Sequence, residues 1–89
     1  MTIPQNITSD SILKAISHID EKGCPLNRAS KTYEVEYNGK TYPSKYVISI
    51  ANIFANGVEL SSENFRGGKE TTSFLQERGF KIIIKNKKR

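Results

Sequence analysis

The chain has 89 residues with a hydrophobic fraction of 36%, which suffices for one small folded domain but leaves no room for a second lobe. Lysine and arginine number 14 against 9 aspartates and glutamates, and the resulting net charge of +5 indicates either a polyanionic partner, nucleic acid before an anionic membrane, or a basic surface that serves solubility alone. A single cysteine, Cys24, excludes an internal disulfide, no apolar run reaches the roughly 18–20 residues that span a membrane, and we expect a cytoplasmic protein.

The first predicted element is a helix over about residues 10–22, preceded by a polar lead-in over residues 1–8. Ser9 or Asp10 is the expected N-cap, and Gly23 is the expected end. Residues 24–31 follow as a loop. The helical spacing is carried by four apolar residues, Ile12, Leu13, Ile16 and Ile19.

A β-hairpin is predicted next. Residues 32–37 alternate between apolar and polar side chains, and Asn38-Gly39 follows at once. This dipeptide favours a type I′ turn, because both central residues of that turn need a positive φ. The predicted register pairs Tyr37 with Lys40 and Val35 with Tyr42, and Pro43 ends the second strand.

The second helix is predicted from Pro43-Ser44 to Asn56-Gly57, buried on most of its sides. Residues 58–65 are expected to form a loop or a short turn, with Ser61 or Ser62 able to cap one helical turn. The core stripe of this helix is predicted to contain Val47, Ile48, Ala51, Phe54 and Ala55, widened by Ile50 and Ile53.

A third helix is expected after residues 66–69, with Phe74 and Leu75 facing the core and Gly79 at its end. A strand over residues 80–85 follows, with Phe80, Ile82 and Ile84 on one face. The order α-β-β-α-α-β predicts an α+β fold in which a small three-stranded antiparallel or mixed sheet packs with three helices. The whole chain, residues 1–89, is predicted to be one domain with a folded core over 9–85 and a basic tail over 86–89.

Catalysis is not supported by the residues. His18 is the single histidine and is predicted to be a partly exposed helical residue, without a second metal ligand at a recognisable spacing. Cys24 has no histidine partner nearby in sequence. Glu34 and Glu36 alternate along the outer face of the hairpin, which is ordinary for exposed strand residues. We therefore expect no enzymatic activity, no metal and no cofactor.

The glycine-rich segment before the third helix is the first candidate binding site. Gly67 and Gly68 let an anion approach the backbone, and the helix dipole with Arg66 and Lys69 adds positive charge. Thr71 and Thr72 are predicted to add hydroxyl donors. The alternative is a tight turn without a ligand. The coincidence of two glycines with two cations favours the anion site, although Glu70 opposes it.

Aromatic residues among cations form the second candidate site, because base stacking and phosphate contact need that combination. Tyr33 and Tyr42 share the apolar face of the hairpin and are assigned to the core. The predicted ligand contacts are therefore Tyr37 and Tyr46, together with Lys40 and Lys45. Further phosphate contacts are predicted in the C-terminal segment, at Lys85, Lys87, Lys88 and Arg89.

The order of short motifs resembles one known family. The motifs are Ile19-Asp20 with Gly23, Arg28-Ala29-Ser30, Tyr33-Glu34-Val35, the run from Gly39 to Ile48, Phe65-Arg66-Gly67-Gly68 with Thr71, and Phe74-Leu75 with Gly79-Phe80. Over about residues 9–84 the chain resembles the N-terminal head domain of modification-dependent restriction enzymes such as ScoMcrA-like HNH endonucleases. That family commonly has a second proline where this chain has Ser44.

The resemblance implies a DNA-associated accessory domain in defence against foreign or modified DNA. The nuclease portion of such enzymes has no counterpart here, so the implied role is non-catalytic DNA binding, with duplex DNA, modified DNA included, as the expected partner. The alternative is a protein–protein interaction module, or an inhibitor, that docks on a nuclease or NTPase partner. No membrane partner is expected.

Overall fold

The computed structural model of the chain describes residues 3–23, 33–61 and 69–84. Within these ranges the elements follow the predicted order α-β-β-α-α-β and form an α+β fold. The elements are α1 (Ser9–Lys22), β1 (Tyr33–Tyr37), β2 (Lys40–Pro43), α2 (Ser44–Asn56), α3 (Lys69–Glu77) and β3 (Lys81–Ile84).

Helix α1 starts one residue before its predicted start and is capped differently. Its N-cap is Thr8, whose side-chain oxygen accepts a hydrogen bond from the Ser11 backbone N–H at 3.3 Å, so the prediction of Ser9 or Asp10 is wrong. Gly23 ends the helix as predicted, and its N–H donates to the Ile19 carbonyl at 2.7 Å. The apolar side Ile12, Ile16 and Ile19 is buried, while Leu13 is 37% exposed.

The strands form an antiparallel sheet in the order β2-β1-β3 within the described residues, which settles the choice between an antiparallel and a mixed sheet. The hairpin register is the predicted one: Tyr37 lies opposite Lys40 and Val35 opposite Tyr42. Val35 also lies opposite Ile82 of β3, which brings the three side chains to one face of the sheet.

The hairpin turn has the backbone that its sequence predicts. Asn38 has a φ of 58° and Gly39 a φ of 84°, and both are in the left-handed region that a type I′ turn requires. Asparagine and glycine are the residues that adopt this region most readily. The turn therefore places Tyr37 and Lys40 side by side at the end of the hairpin.

Replacing Gly39 by valine is expected to reduce the free energy of unfolding by about 1–2 kcal/mol, because a β-branched residue is strained at this φ. A Cβ at position 39 would meet no atom within 4 Å, so backbone strain rather than a clash sets the loss. Chemical denaturation of Gly39→Val and of Gly39→Asn measures it. Asparagine tolerates the left-handed region, and an equal loss in both variants would contradict this explanation.

Helix α2 begins at Ser44, as predicted. Its last residue is Asn56, and the following Gly57 caps it with a left-handed backbone conformation, also as predicted. Every residue from Tyr46 to Asn52 is buried, which confirms a helix surrounded by the rest of the fold. Phe54, however, is 45% exposed and was wrongly assigned to the core. Ile53 and Ala55 are partly buried and pack against the core. Phe54 is on the exposed side of this last turn, and its ring lies edge-on to His18 at 6.3 Å.

Helix α3 contributes Phe74 and Leu75 to the core, as predicted. Its end is a Schellman motif, in which Phe80 N–H donates to the Leu75 carbonyl and Gly79 N–H to the Gln76 carbonyl. Gly79 has the positive φ of 90° that this motif requires. Strand β3 then carries Ile82 and Ile84 on the face of Val35, although Ile84 is 61% exposed at the end of the strand.

The N-terminal segment belongs to the core, which corrects the predicted polar lead-in. Ile3 is 2% exposed and Ile7 is 0% exposed. Ile7 and Ile12 occupy the two positions of a hydrophobic staple around the Thr8 cap. Arg78 fixes the segment from the other side, since its Nε donates to the Ile7 carbonyl at 2.9 Å. The sequence pattern missed these residues because they flank a helix instead of lying within one.

Candidate nucleic-acid interface

A groove of about 340 Å³ lies between helix α1 and the tip of the β1–β2 hairpin. Helix α1 supplies one wall, with side chains at the i, i+3, i+4 and i+7 spacing that marks a single helical face. The hairpin supplies the opposite wall. The groove is lined by Leu13, Ile16, Ser17 and Asp20 from the helix and by Tyr37, Asn38, Lys40 and Tyr42 from the hairpin.

An ion pair joins the two walls. Lys40 Nζ donates a hydrogen bond to Asp20 Oδ1 at 2.9 Å, and both side chains remain about half exposed, at 63% and 46%. The hydrogen bond from Lys40 lowers the pKa of the Asp20 carboxyl and, reciprocally, raises the pKa of Lys40. Asp20 is therefore ionised at neutral pH, and the pair is accessible from solvent.

Tyr42 forms the inner part of the hairpin wall. Its side chain is 6% exposed, and burial raises the pKa of its hydroxyl, with the negative Asp20 as the second cause. The neighbouring Tyr42 hydroxyl also contributes to the lowered pKa of the Asp20 carboxyl. The Asp20 carboxylate therefore lies beside two hairpin side chains, Lys40 and Tyr42, and is ion-paired with Lys40.

Tyr37 is the exposed aromatic residue of the groove. Its side chain is 40% exposed, and its ring packs at a tilt against Phe80, with centroids 6.2 Å apart. Phe80 itself is 8% exposed, so it supports one part of the Tyr37 ring and leaves the rest accessible. Tyr37 is therefore accessible at the surface, and its contact with a ligand stays a prediction.

The other two predicted ligand contacts of this candidate site, Tyr46 and Lys45, do not line the groove. Tyr46 is only 9% exposed and belongs to the core, which corrects its placement at the surface. The reason is that the early turns of α2 are enclosed by the fold, so position 46 points inward. Lys45 is partly buried in the first turn of α2 and does not line the groove.

The glycine-rich candidate site is described only in part. Arg66, Gly67 and Gly68 lie outside the described residues, while Lys69 is the exposed first residue of α3. Thr71 is 0% exposed, and the Thr72 hydroxyl donates to the Lys69 carbonyl at 3.2 Å. Both threonines face the core side of α3, so their hydroxyls are not surface donors, contrary to the expectation. The C-terminal candidates Lys85, Lys87, Lys88 and Arg89 also lie outside the described residues.

The sequence pattern did not single out Leu13, Ser17, Asp20 and Asn38 as groove residues. The sequence did contain a signal for the helix wall of the groove. Residues 13, 16, 17 and 20 share one face of α1, and this face mixes apolar with polar side chains. That pattern does not reveal which element the face meets. The contact between α1 and the hairpin tip is a tertiary feature.

Among residues 3–23, 33–61 and 69–84, no cluster of three His, Cys, Asp or Glu side chains has a geometry suited to a metal ion. None of the helices in these ranges has the length and hydrophobicity needed to cross a bilayer.

The fold and the groove define a small α+β domain with an accessible cleft between α1 and the β1–β2 hairpin. The sequence profile of the ScoMcrA-like N-terminal head domain matches residues 5–83. The chain therefore belongs to the ScoMcrA-like N-terminal head-domain family, which is associated with restriction systems. No curated protein and no solved structure matches the chain.

Proposed function

We propose that this head domain is a non-catalytic, DNA-binding accessory domain of a restriction system. The observation that carries the proposal is the position of exposed Tyr37 directly opposite Lys40 at an open groove, on a chain with a net charge of +5. An aromatic face next to a cation is the combination that contacts bases and phosphates together. Membership of a restriction-associated family makes DNA the expected polyanion.

Phosphate contacts supply the affinity in this proposal. Lys40 retains 63% of its side-chain exposure despite its ion pair, so it can reach a phosphate without leaving Asp20. Lys69 adds an exposed cation at the start of α3, where the helix dipole also favours an anion. Contacts of this kind bind DNA of any sequence.

The proposal gives the groove no catalytic role, because the described residues that line it do not include an acid–base pair. Its lining contains one carboxylate, Asp20, which is held by Lys40, and no histidine. His18 lies on α1 outside the groove and contacts Phe54. A general acid or base must reach a reacting group, whereas Asp20 is already paired with Lys40 and His18 does not line the groove.

Binding of fluorescent duplex DNA, measured by anisotropy across a salt series, tests the proposal. With two to four phosphate contacts, the slope of log K against log salt should be about −2 to −4, and the dissociation constant at physiological salt should be about 1–100 μM. The DNA should remain uncut with any divalent metal. Lys14→Ala is a suitable control, since Lys14 pairs with Asp10 away from the groove.

Two results would contradict the proposal. Cutting that requires a divalent metal and disappears in a His18 variant would show an enzyme. A complete lack of duplex binding at low salt would instead favour the alternative, a protein-docking module. One observation favours that alternative, namely the exposure of the apolar Phe54 and Val58, at 45% and 63%.

A further inference from the structure

We propose that the groove between α1 and the hairpin binds a single unstacked nucleobase that carries an exocyclic amino group. This inference rests on the proposed DNA-binding function and specifies what the groove takes from the DNA. It uses one face of α1, with Leu13 and Asp20, and one end of the hairpin, with Tyr37 and Lys40.

The size of the groove favours a single nucleotide. Its volume of about 340 Å³ lies at the lower end of the range of about 300–1,000 Å³ for small-molecule sites. A base within a stacked duplex cannot enter such a space. A base that is unpaired or extruded from the stack can enter it, while its backbone stays outside near the exposed cations.

The apolar side chains of the groove provide a stacking surface. Tyr37 and Leu13 are both partly exposed, at 40% and 37%, and Ile16 lies behind them with 3% exposure. Large apolar side chains that stay exposed at the mouth of a pocket leave hydrophobic area for a ligand to cover. A flat base covers this area best, because every base has a π-face that stacks on an aromatic ring.

The polar side chains of the groove select the base. The Asp20 carboxylate accepts a hydrogen bond from Lys40 through Oδ1, which leaves part of its acceptor capacity unused at 46% exposure. An ionised carboxylate only accepts hydrogen bonds, so it matches an amino group, as when a carboxylate accepts from cytosine N4. Thymine has no amino group, and its one ring donor, N3–H, lies between two carbonyl oxygens that repel a carboxylate. Lys40 beside Asp20 is placed to contact the phosphate of the bound nucleotide.

Three DNA duplexes that differ at one position test the inference: one fully paired, one with a single unpaired cytosine and one with a single unpaired thymine. Anisotropy titrations with the wild-type chain should show about five- to tenfold tighter binding to the unpaired cytosine than to the unpaired thymine, since one selective hydrogen bond separates them. The fully paired duplex should bind most weakly, because extruding a paired base requires unstacking it.

Two groove variants separate stacking from selection. Tyr37→Ala should weaken binding of both unpaired duplexes about tenfold, whereas Tyr37→Phe, which keeps the ring, should not. Asp20→Asn should abolish the preference for cytosine over thymine, because an amide both donates and accepts. It should also strengthen binding to all duplexes slightly, since it removes a negative charge beside Lys40. Lys14→Ala should leave the cytosine preference unchanged, and thermal melts should show that each variant is folded.

The outcomes distinguish this inference from the proposed function. Equal affinity for all three duplexes, unaffected by Tyr37→Ala and Asp20→Asn, would overturn the base-binding groove and leave phosphate-based DNA binding intact. A cytosine preference that survives Asp20→Asn would overturn the role of the carboxylate in selection. Failure of the wild-type chain to bind any duplex at low salt would overturn the proposed function itself.

Discussion

Replacing Arg78 by alanine should lower the free energy of unfolding by about 2–4 kcal/mol, because charge-assisted hydrogen bonds contribute about 1.5–3 kcal/mol each and do not add fully. The guanidinium donates to the carbonyls of Ile7 at 2.9 Å, Phe74 at 3.2 Å and Gln5 at 3.4 Å. Its central carbon lies 3.6 Å from the centroid of the Phe74 ring, which adds a cation–π contact.

The location of Arg78 explains why one side chain has so large an effect. It is 17% exposed and links the end of α3 to the N-terminal segment that carries Ile3 and Ile7. Without Arg78, the backbone carbonyls of Gln5 and Ile7 lose this hydrogen-bond donor. The segment that buries Ile3 and Ile7 is then held less firmly against α3. Thermal unfolding should show a midpoint lower by about 8–30 °C, since 1 kcal/mol corresponds to about 4–8 °C in a domain of this size.

Arg78→Lys separates geometry from charge. Lysine keeps the positive charge but lacks the planar group that reaches several carbonyls at once, so an intermediate loss is expected. Lys22→Ala, at an exposed position in the last turn of α1, controls for the loss of a cation in general. A midpoint for Arg78→Ala within a few degrees of the wild type would show that the N-terminal segment is held by its apolar contacts alone.

Local chemistry was enough to predict the elements of the fold. Asn38-Gly39 determines the type of hairpin turn, and this two-residue turn places Val35 opposite Tyr42. Gly57 and Gly79 end α2 and α3 in positive φ, where glycine is favoured. These features depend on residues adjacent in sequence, which is why the pattern is sufficient for them.

Features that depend on distant contacts were missed or misplaced. Phe54 fits the core spacing of α2, yet it is 45% exposed and its ring lies against His18 of α1, while its neighbours Ile53 and Ala55 pack against the core. Arg78 looks like a surface cation, but its partners Gln5 and Ile7 are more than 70 residues away in sequence. The same holds for the groove, of which the sequence predicted Tyr37 and Lys40 on the hairpin but not Asp20 on α1.

The double variant Arg66→Ala, Lys69→Ala should weaken binding to duplex DNA about 60-fold at 0.1 M salt. Each phosphate contact contributes about 0.9 to the slope of log K against log salt, so two contacts contribute about 1.8. If the variant and the wild type bind equally at 1 M salt, this difference in slope amounts to about 60-fold in affinity at 0.1 M. The loss should be nearly equal for all sequences, because phosphates carry no sequence information. The measurement is the duplex anisotropy titration, repeated across the salt series.

Stability should change little in this variant, which separates lost contacts from lost structure. Lys69 is exposed, and the core residues of α3, such as Phe74 and Leu75, are buried away from it. Truncation after Lys85 removes the cations Lys87, Lys88 and Arg89 and should also weaken binding. Lys14→Ala controls for the loss of a single cation, since Lys14 lies on α1, where it pairs with Asp10, and not on α3. Unchanged affinity and an unchanged salt slope in the double variant would exclude the start of α3 from the DNA contacts and leave Lys40 and the groove as the interface.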